Sequence, residues 1–323
     1  MISNKPLVSI VIPLYNGSNY IAEAINCALN QTYPNIEIIV VNDGSIDNGK
    51  GRDIVLTFGD KVKYFEKENG GVSTALNYGI KNMKGEYFSW LSHDDIYLPN
   101  HIENQVNCLK NRHNINAVIS NTMLYYQFHD KTIKRKDRFS IFPKISMPVT
   151  HYYYWYYACS FLVKKDFFEK TYIFEEKYRI SQDISYIFHV LHFSNIFFNE
   201  SFTSLRREHD NTFNRSDVQE VNVIEYHAIL KELIVKYGFS FFITNIHQSK
   251  RNSKLYLIIL YADLLSNKYT DLQQIFLTKT LIYFKLPFYF RSIIKFILFL
   301  STKLYSLANR VYRKFLNTIF YSK

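Results

Sequence analysis

Short β-branched runs alternate with stretches of helical spacing through the first third of the chain, and no other feature restricts its fold as tightly. Residues 8–12 form a β-rich run ended by Pro13. Residues 20–30 then place Ile21, Ala24, Ile25, Ala28 and Leu29 at the spacing of one helix face. A second run, 36–41, closes in the turn cluster Asn42, Asp43, Gly44 and Ser45, and 61–65 reads as a short third strand. Residues 74–84 predict a helix that packs Ala75, Leu76, Ile80 and Met83 and stops at Gly85. This order predicts a parallel sheet with helices on both faces.

A fourth run, Tyr87 to Leu91, passes directly into Ser92, His93, Asp94 and Asp95. Open α/β sheets bind ligands outside the carboxyl ends of their strands, which is where these two carboxylates fall. Neighbouring side chains on extended backbone face opposite ways, so one aspartate is expected to face a ligand and the other to brace the loop. The plain alternative is that Asp95 caps the segment from Ile96 onward. Asp43 has the same two readings, a ligand acceptor or an Asx-turn residue. Asn69, Gly70 and Gly71 allow backbone to approach a ligand closely, or mark only a turn.

The 323 residues suffice for roughly two domains. Three cysteines, Cys27, Cys108 and Cys159, lack metal-ligand spacing, and with no secretory leader they point to a reducing cytoplasmic setting. Net charge is +11, but nine cations lie in residues 272–323, which contain no acid. The remainder is nearly neutral, which disfavours a nucleic-acid-binding protein. Residues 281–300 have the length of a membrane span, yet Lys285, Pro287, Arg291 and Lys295 interrupt them. Central charges cost roughly 2.5–3.5 kcal/mol each. The expectation is amphipathic helices lying on an anionic membrane, with a helical extension packed on the main domain as the alternative.

Beyond residue 116 the signals weaken. Residues 117–120 continue the sheet, 129–138 read as a charged loop, and 160–163 resume a strand. The aromatic stretch 151–157, with Trp155, serves the core or stacks on a sugar. Residues 183–193 predict a helix with Ile184, Ile187, Phe188 and Leu191 on one face, and 218–237 and 253–265 predict further helices.

Four strings occur in a fixed order: VSIVIPLYNG (8–17), NQTYPNIEIIVVNDGS (30–45), ENGGVSTALNYGI (68–80) and GEYFSWLSHDDIYLP (85–99). Their succession resembles the inverting glycosyltransferases of family two. A fifth match joins Ala158 to Leu162 with the segment Phe174 to Asp183. The resemblance implies a GT-A fold, an α/β Rossmann-like, mostly parallel sheet with helices on both faces, followed here by a helical, basic amphipathic C-terminal extension. It implies a nucleotide-sugar-binding half (1–115), an acceptor half with the catalytic base (116–215), a helical region (216–271) and a membrane-associating tail (272–323).

The resemblance also implies roles. Asp183 becomes the catalytic base, although read alone it is as well an N-cap of its helix. Pro13, Tyr15, Asp43, Asn69, Gly70, Asn77, His93, Asp94, Arg207 and His209 become the nucleotide-sugar contacts. Asp94 also becomes the ligand of Mn2+ or Mg2+, metals that take one or two carboxylates together with diphosphate oxygens. Ser92 stands where the family commonly has a further aspartate.

The implied reaction moves one sugar from a nucleotide-diphosphate sugar, a UDP-sugar by preference, to a glycan or lipid-linked hydroxyl with inversion, in bacterial surface polysaccharide synthesis. The QxxRW string of processive synthases is absent. The implied setting is cytoplasmic, peripheral on the inner face of the cell membrane. The rival reading, prompted by Ser92, is a catalytically silent nucleotide-sugar-binding scaffold.

Overall fold

A computed structural model describes residues 5–110, 112–133, 157–208 and 216–237. In chain order the elements are β1 (Val8–Leu14), α1 (Ile21–Leu29), β2 (Ile36–Asp43), α2 (Lys50–Leu56), β3 (Lys63–Lys67), α3 (Val72–Asn82), β4 (Tyr87–Trp90), β5 (Ile96–Tyr97) and α4 (His101–Leu109). There follow β6 (Ala117–Tyr126), β7 (Lys131–Ile133), β8 (Phe161–Lys164), α5 (Asp166–Lys170), α6 (Gln182–Phe193), β9 (Ile196–Glu208) and α7 (Ser216–Tyr237). The chain divides into two compact units, residues 1–141 with 154–226, and residues 142–153 with 227–323. The first carries all the strands described below. The second is described over 227–237, where Ile229, Leu230 and Leu233 are buried.

The strands of the first unit form one sheet in the order β3-β2-β1-β4-β8-β6-β9-β5, with β7 paired to β6. β1, β2, β3 and β4 are parallel, as the alternation of runs predicts. The second half departs from a mostly parallel sheet. β8 lies antiparallel between β4 and β6, with Tyr87 opposite Lys164 and Ala117 opposite Val163. β9 returns parallel to β6, and β5 pairs antiparallel with β9. The sheet is therefore mixed. A buried three-residue apolar run such as Phe161, Leu162 and Val163 reads the same in either direction, so its orientation was invisible in the sequence.

Helices do cover both faces. Val8, Ile10, Ile12 and Leu14 of β1 join Ile21, Ala24, Ile25 and Ala28 of α1 in one buried cluster. Burying each of the larger of these side chains contributes about 1.5–3 kcal/mol. On the opposite face α3 comes so close to β1 that a Cβ on Gly79 would lie 2.4 Å from Val11 Cγ1. Only a glycine admits that approach.

β1 runs through Pro13 rather than ending at it, and the proline marks where the sheet parts. β1 pairs with β2 along its whole length, but with β4 only from Val8 to Val11. The Val11 carbonyl accepts the Leu91 N–H at 3.1 Å and so points toward β4. Backbone groups alternate sides along a strand, so the N–H that Pro13 lacks would also have faced β4, where no partner strand remains. From this point β1 and β4 lead into separate loops.

Among the described residues the predicted helix and strand cores are present with ends moved by at most two residues, except that the strand expected at 117–120 continues to Tyr126. α2, α4, β5, β7, α5 and β9 were not anticipated, and β7 falls within the 129–138 stretch read as a charged loop. Residues 134–138, 151–156, 253–265 and 272–323, the ground of the expected charged loop, aromatic patch, helix and basic tail, lie outside the described residues. Among the described residues, no helix is long and apolar enough to cross a membrane.

Candidate functional site

The loops at the carboxyl ends of β1, β2 and β4 build one rim. After β1, Tyr15 is 42% exposed. Asn16 sits at φ +49°, and its amide oxygen accepts the Ile46 N–H at 2.8 Å while its own N–H donates to Ser45 Oγ at 3.0 Å. Ser45 is in turn held by Asn42, whose Oδ1 accepts from both the Ser45 N–H and its hydroxyl. The first two loops are thus tied together by side chains of the NDGS cluster.

Asp43 is buried and fully engaged. Its Oδ1 accepts from Lys67 Nζ at 2.7 Å, the Gly70 N–H at 3.1 Å and Thr74 Oγ1 at 3.2 Å, and its Oδ2 accepts from the Gly71 N–H at 2.7 Å. The carboxylate braces the loop before α3 from within. Gly44 makes this possible: it lies at φ +65°, and a Cβ there would meet the Asn69 nitrogen at 2.6 Å. Asp43 therefore acts on Asn69 and Gly70 as their support.

At the end of β4 the two aspartates, Asp94 in a turn and Asp95 just after it, differ in burial. Asp95 is buried, accepts the Arg207 N–H at 3.1 Å, and has its carboxyl raised above the usual range, by burial first and the neighbouring Asp94 charge second. It caps no helix, because the next element is β5. Asp94 is half-buried, and its backbone carbonyl accepts from Arg207 Nε at 2.9 Å. The outer nitrogen of Arg207 meets Glu23 of α1, and its guanidinium lies 5.0 Å from the Tyr20 ring centre. Arg207 is thus a strut joining β9, the Asp94 turn and α1. His93 packs on Gly17, where a Cβ would fall 2.2 Å from the imidazole.

Asp183 lies in the first turn of α6, whose N-cap is Ser181, so it is not the cap itself. Its carboxyl is pushed up to about 6, by burial above all and slightly by Glu225, against the Ile184 N–H and the Arg206 charge. That value suits a group that takes up protons near neutrality. The charge of Arg206 acts on both Asp95 and Asp183, so the β4 rim and the start of α6 share one cation.

Asn77 is placed otherwise than expected. Its side chain accepts the Phe174 N–H at 3.0 Å and donates to the Phe174 carbonyl at 2.9 Å, clamping α3 to residues 174–176. His209 lies outside the described residues. Sequence reasoning missed Glu23, Lys67, Thr74 and Glu225. Their partners are set by tertiary pairing, and no local pattern flags a lone polar or charged residue on a helix or strand.

Among the described residues no three His, Cys, Asp or Glu side chains cluster as a complete metal cage. Asp94 offers a single hard oxygen donor group, which suits Mg2+ or Mn2+ only when diphosphate and water supply the remaining ligands.

Known proteins agree with this architecture. The family model described as glycosyl transferase family 2 matches residues 9–174. An uncharacterized glycosyltransferase of Rickettsia typhi is 41% identical over 242 residues, covering 72% of this chain and 73% of that protein. Another, of Rickettsia felis, is 47% identical over 214 residues, but these make up 63% of this chain and only 34% of that longer protein. The crystal structure of Staphylococcus aureus TarS 1–349 in complex with UDP-GlcNAc superposes with a TM-score of 0.59 at 16% identity, covering 84% of this chain and 79% of that one. That likeness is one of fold, a mixed sheet consistent with GT-A. With four ordered motifs, the rim they build and more than two thirds of a relative matched, the chain belongs to glycosyl transferase family 2.

Proposed function

We propose that this glycosyltransferase moves one sugar from a nucleotide-diphosphate sugar, a UDP-sugar, to a hydroxyl of a glycan or lipid-linked acceptor with inversion of the anomeric carbon. The observation that carries the reading is the rim built by the loops after β1, β2 and β4 from the ordered motifs, with Asp183 in the first turn of α6 and its carboxyl pushed up to about 6. A base of that character takes the proton of an attacking hydroxyl as the new bond forms. One displacement opposite the leaving diphosphate inverts the carbon.

In this reading Pro13, Tyr15, Asn69 and Gly70 face the nucleoside, and Asp43 supports them through Lys67 and the glycine N–H groups. His93 shapes the floor against Gly17, and Arg207 with His209 serves the diphosphate side, Arg207 by holding the Asp94 turn. Asp94 would hold Mn2+ or Mg2+, a cation that neutralises charge on a departing diphosphate. Asn77 holds the 174–176 segment that leads to Asp183.

A setting on the inner face of a bacterial membrane, in surface polysaccharide synthesis, is supported by the nine cations and no acid of residues 272–323. The division at 115, 215 and 271 is retained as part of the same proposal.

The test is thermal stabilisation of the full chain by UDP, dTDP, GDP and CMP with and without Mn2+, followed by turnover of the matching sugar donors. Metal-dependent stabilisation by UDP, lost in Asp94→Ala, and turnover lost in Asp183→Ala support the reading. Nucleotide binding with no donor turnover favours the silent scaffold that Ser92 suggests. Less than a tenfold loss in both variants defeats the assigned mechanism.

A further inference from the structure

Three consecutive backbone N–H groups immediately before α6 converge on one carboxylate from a distant helix. Glu225 of α7 accepts the Arg179 N–H at 2.9 Å through Oε1, and the N–H groups of Ile180 at 2.9 Å and Ser181 at 2.8 Å through Oε2. Ser181 makes no side-chain cap for α6. Helix starts leave N–H donors unsatisfied and favour nearby negative charge, so Glu225 does from 44 to 46 residues away what a local cap would do.

The other end of the same segment is also fixed. Ser73 Oγ donates to the Glu175 carbonyl at 3.0 Å, and Asn77 clamps Phe174. Residues 174–181 are therefore tied to α3 at one end and to α7 at the other. Asp183 begins two residues beyond the second tie.

We propose that Glu225 is the positioning residue of Asp183, fixing the turn from which α6 carries that carboxylate toward the reacting groups. The proposal rests on the reading of Asp183 as the base. Arg206 of β9 favours the ionised form of Asp183, Glu225 of α7 opposes it, and the phenol of Tyr172 feels the same charge. Removing the negative charge of Glu225 therefore favours the ionised form of Asp183.

The experiment reads Asp183 directly, with no substrate. The pH dependence of the stability difference between wild type and Asp183→Asn gives the midpoint of Asp183, and the same pair in a Glu225→Gln background gives the shifted midpoint. The midpoint is expected to fall by on the order of 0.3 pH unit or more. Hydrogen exchange at residues 179–181 is expected to quicken at least tenfold in Glu225→Ala. Should Glu225→Ala fail to fold, Glu225→Gln keeps the volume and one acceptor oxygen, and both measurements are made on it.

An unchanged midpoint with unchanged exchange overturns the proposal. So does lost transfer from the UDP-sugar donor with an unmoved midpoint, which leaves Glu225 a merely structural residue. A shifted midpoint together with full transfer activity in Asp183→Asn upholds the link between the two residues while removing Asp183 from the chemistry, so the two failures are separable.

Discussion

Arg207 donates through Nε to the backbone carbonyl of Asp94 at 2.9 Å, across 113 residues of sequence. The same guanidinium meets Glu23, and the Arg207 N–H holds Asp95. One buried side chain therefore sets the height and direction of the turn on which the proposed metal ligand stands.

Replacement by lysine keeps the charge but loses the planar fork. Arg207→Lys is expected to lower stability by about 1–3 kcal/mol, because the Asp94 carbonyl and Glu23 cannot both be reached. Urea denaturation checks this. The midpoint should fall with an unchanged slope, and Mn2+-dependent stabilisation by UDP should weaken with it.

Asp183 gives a pH dependence of definite sign. As the proposed base it must be ionised, so transfer is expected to rise with pH through about 6, and Asp183→Asn to lose at least about a hundredfold of kcat. Stability runs the other way. A carboxyl raised in the folded state from 3.8 to about 6 stabilises fully below the lower value, and that contribution is lost as pH rises through the upper one. Asp183→Asn should therefore melt above wild type at pH 8 and close to it at pH 4. A variant less stable at pH 8 would contradict the raised value.

Glu37 behaves oppositely. Burial alone would raise its carboxyl, but Lys63, the Ser9 hydroxyl and the N–H groups of Lys84 and Gly85 together hold it below its ordinary value. Its stabilisation is present above the ordinary carboxylate pKa of 4.5 and is lost as pH falls through the depressed one. Glu37→Ala is expected to cost about 2 kcal/mol at pH 7, since it strands the Lys84 N–H and the Ser9 hydroxyl where α3 hands over to β4. The difference from wild type should shrink in acid, as followed by circular dichroism melts at pH 7 and pH 3.

Gly44→Ala tests the support beneath the loop proposed to carry the nucleotide. The positive φ and the 2.6 Å approach of the Asn69 nitrogen are both violated by a methyl group, and a backbone neighbour yields poorly. The expected cost is about 1–3 kcal/mol, with UDP affinity reduced at least tenfold in calorimetry. A tight binder with this substitution would show that the loop does not carry the nucleotide.

β1, β2 and β4 were legible because they are near-continuous apolar runs, and α1 and α3 because each keeps one apolar face; Ala75, Leu76 and Ile80 sufficed to place α3. β9 was not legible. It buries Thr203, Ser204 and Arg207, polar residues satisfied by partners in other elements, as Thr203 is by His101 and Ser204 by Thr122. A strand that hides polar groups shows no alternation of apolar and polar residues. Its irregular register against β6 at Asn121 blurs the pattern further. Asp94 and Asp183 were found through motif order. The inward turn of Asp43 and the reach of Glu225 depend on residues brought together only by the folded chain.

The strut from Arg207 to the Asp94 turn has a consequence for synthesis. A chain emerging from the ribosome has the strands and loops of its first half well before residue 207 appears, yet the Asp94 turn lacks its tether until then. Nucleotide-binding competence should therefore arrive late in translation, when β9 docks, and fragments ending before β9 should be poor captors of donor sugar.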